Sequence, residues 1–102
     1  MNQMQLMAQM KKMQAEMARA QDELATTTVS GTAAGNAVTV EMTCDHHVKS
    51  VKIASEAIDP SDPETLEDLV VVATNDALRK IEETAQKRMG AVTGGLRIPG
   101  MT

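Results

Sequence analysis

At 102 residues the chain has room for one small domain, and it must build that domain without a single Phe, Tyr or Trp. A core of Ala, Val, Leu, Ile and Met buries less area per residue than one with aromatic anchors, so an obligate oligomer is expected. Cys44 stands alone, which excludes an intramolecular disulfide framework, and no apolar run reaches the ~20 residues of a membrane span.

Net charge is −4, yet the charges are segregated. Residues 1–21 carry Lys11, Lys12 and Arg19 against Glu16, and residues 77–102 carry Arg79, Lys80, Lys87, Arg88 and Arg97 against Glu82 and Glu83. Residues 41–76 hold nine acids against Lys49 and Lys52. Both ends are basic and the middle is acidic, and local potential is what a partner feels. Gln and Lys interrupt the apolar stretches of the amino end, so no secretory signal is expected there and a cytoplasmic location is.

The first predicted element is a helix over about residues 3–25. Leu6, Met10, Met13, Met17, Ala20 and Leu24 recur at alternating spacings of four and three, a heptad-like stripe built from good helix formers. Six of the nine methionines fall in the first seventeen residues. Stepping by three, Met1, Met4, Met7, Met10 and Met13 drift around the helix and do not converge as thioether metal ligands would need to. The three cations are too sparse for a membrane-surface helix. A packing seam is the reading that remains, with Leu6, Met10, Met13, Met17 and Leu24 as its contacts.

Three short strands follow. ATTTVSGTAAG and NAVTVEMTC are rich in Thr and Val and flank an expected Gly31–Gly35 loop, and HVKSVKIA comes after the CDHH break, with Val48, Val51 and Ile53 nearly on one face. A meander of antiparallel strands is predicted. Cys44, Asp45, His46 and His47 have metal-ligand chemistry, but adjacent histidines on extended chain point apart and no further Cys or His completes a tetrahedral set. They read as a polar turn; no metal and no cofactor is expected.

In IDPSDPETLEDLV, Pro60 and Pro63 end the strand and Ser61 with Glu64 predicts a capping box. Leu66, Leu69, Val70, Ala73, Ala77, Ile81 and Ala85 keep helical spacing, with Val70 and Ile81 as core contacts, and Gly90 is expected to end the helix near Met89. Asn75 and Asp76 are poor mid-helix residues, so either they face solvent or their side chains satisfy backbone groups of the sheet or a partner. The GAVTGGLRIPGMT stretch reads as a mobile tail, giving a single domain over residues 1–90 and a tail over 91–102. The fold class is α+β: a long N-terminal helix, a three-stranded meander and a long C-terminal helix. The helices outrun the sheet and must project.

The ordered series VSG…G, AVTVEM, VKSVKIASEAIDP, ETLEDLVVVATNDALRKIEE and a GGL-x-x-PG tail resembles the YbaB/EbfC family of bacterial nucleoid-associated proteins across nearly the whole chain. Its most specific part is LEDLV…A.NDA.RK.EE. The resemblance implies a tweezer-shaped homodimer with helical arms, duplex DNA as partner with weak sequence preference, a nucleoid location and no catalysis. It also implies that Asn75 and Asp76 hold helix to sheet. The departure is the second hairpin, where many members have a glycine-containing turn and this chain has Cys44–His47.

Taken with the resemblance, the basic ends become the expected DNA contacts: Lys11, Lys12, Arg19, Arg79, Lys80, Lys87, Arg88 and Arg97. No nucleophile–base pair or paired-carboxylate site argues for an enzyme. The absence of aromatics disfavours single-strand recognition by base stacking. The competing expectation is a protein-interaction or oligomerisation module that uses the Met-rich helix.

Overall fold

The computed structural model describes residues 2–93. Helix α1 spans Gln3–Thr26, strands β1, β2 and β3 span Thr28–Ala33, Val38–Thr43 and His47–Ile53, a 3₁₀ turn covers Ser55–Ala57, and helix α2 spans Pro63–Thr93. The sheet is an antiparallel meander in the order β1-β2-β3. This is the α+β arrangement the periodicities predict, and the molecule is drawn out to 70 × 26 × 16 Å. A 31-residue helix is ~46 Å long and a six-residue strand ~20 Å, so α2 overhangs the sheet and α1 continues the projection.

Asn2 caps α1, its side-chain oxygen accepting the Gln5 N–H at 2.8 Å. At α2 the cap differs from the expected capping box. Asp62, not Ser61, accepts the Thr65 N–H at 3.3 Å, and Pro63 takes the first helical position, where its missing N–H costs nothing. Ser61 is instead turned back onto Asp59. Nor does Gly90 end the helix. It sits on an open side of α2, which runs on to Thr93 because a single exposed glycine costs only ~1 kcal/mol against a long cooperative helix. The tail expected over 91–102 thus begins inside α2, and residues 94–102 lie outside the described residues.

Opposed residues on antiparallel strands share a face, so Val29, Gly31 and Ala33 align with Met42, Val40 and Val38, and these with Val48, Val51 and Ile53. The register shifts at Glu41/Met42, leaving Lys49 as the extra residue. That bulge is what brings Val48 onto the same face as Val51 despite their odd spacing. The other face carries Thr, Ser, Glu and Lys.

Helix α2 lies over β1 and β2, and the core is correspondingly small. It comprises Leu24, Ala33, Val38, Val40, Met42, Cys44, Ala73, Ala77 and Ile81, with Val70, Leu66 and Met89 packed against it. Burial pushes the Cys44 thiol above its ordinary pKa.

Gly31 corrects another expectation, since it is no part of a loop. It sits within β1, and a Cβ there would run into the Ala73 carbonyl oxygen and the Ala77 backbone. A glycine opposite two alanines lets helix backbone press directly on strand backbone. The turn proper is Ala34–Ala37, closed by the Ala37 N–H on the Ala34 carbonyl at 3.3 Å, with Gly35 and Asn36 both left-handed. In the second hairpin His46 takes the left-handed position, φ 70°, that a glycine would fill more cheaply.

Candidate nucleic-acid interface

The expected DNA contacts fall into two groups. In the first, the cation is engaged within the fold. Lys80 Nζ donates to the Ser30 carbonyl at 2.6 Å and lies 3.4 Å from Asp76 Oδ2. Arg79 bridges Asp76 at 2.8 Å and Glu83 at 2.5 Å along α2. Arg88 Nε donates to Glu23 Oε2 at 2.6 Å, joining α2 to α1.

The Asp76–Lys80 pair does something that sequence reasoning only half reached. Asp76 Oδ2 accepts the Thr32 N–H at 3.0 Å, while Lys80 donates to the Ser30 carbonyl. These are backbone groups of β1, whose other side has no strand neighbour among the described residues. Two side chains of α2 thus occupy the free edge of the sheet and deny it to another strand. The Thr32 N–H, followed by Arg79 and Lys80, holds the Asp76 carboxyl down at about 2 from 3.8. The expectation that Asp76 holds helix to sheet is met in this contact; Asn75 is exposed. The poor helix propensity of Asp76 was the available signal, but which backbone group it would serve depends on how α2 crosses β1.

The second group is Lys11, Lys12, Arg19 and Lys87, which form no ion pair with another described residue. All four are exposed, on α1 and on the distal part of α2. Arg97 lies outside the described residues. Arg19 shares an open cleft with Glu16, Arg88, Ala91 and Val92, where α2 ends alongside α1.

The predicted seam divides in the same way. Leu24 and Ala20 are buried and Met13 is half-buried, whereas Leu6, Met10 and Met17 stay exposed. Among the packing residues of α2, Ile81 is fully buried and Val70 half-buried. No three His, Cys, Asp or Glu residues among the described ones cluster as metal ligands, and no described helix is long and apolar enough to cross a membrane.

The family model described as the YbaB/EbfC DNA-binding family matches residues 1–96. The chain belongs to that family. A nucleoid-associated protein of Roseiflexus sp. (strain RS-1) is 50% identical over 100 residues, covering 98% of this chain and 99% of the relative. One from Lactococcus lactis subsp. cremoris is 45% identical over 96 residues, or 94% and 97% of the two chains. The crystal structure of an uncharacterized protein from Helicobacter pylori superposes with a TM-score of 0.74 at 20% identity, covering 95% of this chain and 99% of that one. At that identity the likeness speaks for the fold. For this YbaB/EbfC member, a helix–meander–helix unit of this shape is thus shared with a distant chain, while the DNA-binding name comes with the family.

Proposed function

We propose that this YbaB/EbfC member is a nucleoid-associated homodimer that binds duplex DNA through cations on its projecting helices, with weak sequence preference. The observation that carries the reading is the exposed set Lys11, Lys12, Arg19 and Lys87, placed on helices that overhang the sheet in a chain of a DNA-binding family. Lys and Arg on phosphates position a protein without reading bases, and counterion release makes affinity fall with salt. The acidic stretch 41–76 keeps the polyanion off the sheet and favours contact at the arms. Two such lobes per dimer can bridge separate duplex segments. Arg79 and Lys80 contribute field more than direct contact, since their donors already serve Asp76, Glu83 and Ser30.

The uncovered third of the sheet supports the dimer. Val48 is 56% exposed, Val51 47% and Ile53 37%, although all three share the core face, because α2 covers only β1 and β2. Val71, Val72 and Leu78 of α2 are exposed as well. A second copy of the chain answers both, its α2 lying over β3 and receiving the same cover in return, the self-complementary contact a two-fold requires.

A second reading has one observation in its favour. Met4 is 80% exposed, and Leu6, Met7 and Met10 are each more than half exposed, so the outer arm could grip an apolar partner helix.

Fluorescence anisotropy of a labelled random-sequence duplex, titrated at low and moderate salt, separates the two. Binding whose log affinity falls linearly with log salt, with a slope reduced by about one for each phosphate-bound Lys changed to Ala, is the expected result. Absence of binding at low salt sinks the DNA reading and leaves the Met surface as the leading site.

A further inference from the structure

We propose that the Glu23–Arg88 ion pair clamps α1 onto α2, so that Arg88 serves DNA binding as a positioning residue and not as a phosphate ligand. The functional half of this inference rests on the DNA-binding reading above; the clamp itself does not.

The apolar contact between the two helices is narrow. Ala20, Leu24 and Val92 are buried, and beyond them the α1 stripe turns to exposed Leu6, Met10 and Met17, with Met13 half-buried between them. The fully buried members of that contact are one alanine, one leucine and one valine, with Met13 of α1 and Ala85 and Met89 of α2 only half-buried, and small or flexible side chains resist sliding poorly. At the edge of that seam Arg88 Nε meets Glu23 Oε2 at 2.6 Å, across 65 residues of sequence. The other ion pairs of the described residues act inside one element or its neighbour: Arg79 and Lys80 within α2, Lys49 with Glu41 between adjacent strands, and His47 with Asp45 at a turn. Glu23–Arg88 joins the arm to the body of the molecule.

Its geometry suits a clamp better than a ligand site. The bond through Nε turns the guanidinium onto Glu23, and the Arg88 side chain is only 30% exposed. Glu16 adds a second acid near Arg88, and the hydrogen bond from Arg88 holds the Glu23 carboxyl below its ordinary range. A phosphate would have to displace the Glu23 carboxylate and come in against the charge of Glu16 to take Arg88. Lys11, Lys12 and Lys87 present no such competition in ion pairs, and Arg19 has the charge of Glu23 nearby but no ion pair with it.

The lever explains why the pair matters. Lys11 and Lys12 lie ~19 Å along the helix axis from Leu24. A swing of about 10° at the seam displaces them by ~3 Å, which is the whole length of a hydrogen bond to a phosphate oxygen. Cations on an arm that wanders this far cannot all meet their phosphates together.

The test compares Glu23→Ala, Arg88→Ala and the exchanged pair Glu23→Arg with Arg88→Glu, all in the full chain. Hydrogen–deuterium exchange is read over residues 13–24 of α1 and over residues 38–43 of β2, without DNA. Both single variants should exchange roughly two- to fivefold faster in α1, the range of a partly exposed ion pair, with β2 unchanged. The exchanged pair should restore the protection. In the anisotropy assay Glu23→Ala should bind DNA more weakly, although it removes a negative charge and should therefore attract DNA if charge alone mattered.

Unchanged α1 exchange in Glu23→Ala overturns the clamp. Tighter DNA binding by Glu23→Ala overturns the positioning role, since Arg88 would then be a phosphate ligand restrained by Glu23. If the unaltered protein does not bind DNA, the exchange data still decide the clamp, and it is the proposed function that fails.

Discussion

Residues 70–81 of α2 and residues 3–15 of α1 are both regular helix, but they are held by opposite means. The first segment meets the sheet backbone to backbone, with Ala73 and Ala77 over Gly31 and the Asp76 and Lys80 side chains on the strand edge. The second has an apolar stripe as continuous as any in the chain and little to put it against, so Leu6, Met7 and Met10 stay in water. Small residues thus mark the tightest packing here, and large flexible ones mark the loosest. An apolar periodicity says that a helix has a side to bury; it does not say how much of that side the chain can cover by itself.

The largest effect is expected at Gly31. A methyl there meets backbone on α2, which cannot rotate away as a side chain could, so Gly31→Ala should cost about 3 kcal/mol or more, or abolish folding. Urea denaturation measures it. A variant of near-normal stability would mean that α2 rides higher on the sheet than described.

Next comes the uncovered strand. Val51→Glu puts a charge into the apolar row beside β3, and a dimer seated there should weaken at least tenfold, as read by sedimentation equilibrium. An intact dimer would move the interface elsewhere.

The strand-edge cap carries a pH signature. Asp76 has its folded pKa lowered from 3.8 to about 2, so it binds fewer protons folded than unfolded between those values. Its stabilisation is complete above pH ~4 and is lost as pH falls from 3.8 through about 2. Asp76→Asn should lower Tm at pH 7 and flatten the fall of Tm between pH 4 and 2. If the variant's thermal unfolding keeps the full acid slope, other carboxylates own it.

The two smallest effects sharpen the contrast between packed and projecting helix. Gly90→Ala, in an open stretch of α2, should stabilise by up to ~1 kcal/mol, the opposite sign to Gly31→Ala, because no atom waits for the new methyl. Met4→Gln with Met7→Gln should change monomer stability by less than ~0.5 kcal/mol in the same urea assay. A larger loss would show that the outer arm is covered in solution, which is what the interaction-module reading requires.

Much of the architecture was legible because it is local. The 4-3 spacing of Leu6 to Leu24 and the Leu66 to Ala85 series identify the helices within a residue or a few, and alternating Val and Thr identify the strands. The boundaries that differ lie at punctuation residues whose commonest use is not the one the fold makes of them. By sequence alone Gly31 predicts a loop, Ser61 a cap and Gly90 a stop; the structure uses Gly31 for close approach, Asp62 as the cap and Gly90 as an ordinary helical residue. The candidate site was legible as a list of cations but not as a set of free ones. Arg79, Lys80 and Arg88 look the same in sequence as Lys11, Lys12 and Lys87.

By itself the sequence determined the elements, their order, the segregation of charge and the family, because periodicity, propensity and motif order are properties of neighbouring residues. Tertiary structure decided which cations are occupied, which strand lacks cover and which glycine is indispensable. Those depend on what residues 44 to 65 positions apart do to each other, as Thr32 with Asp76, Ser30 with Lys80 and Glu23 with Arg88 show, and no local pattern encodes the angle at which one helix crosses a sheet.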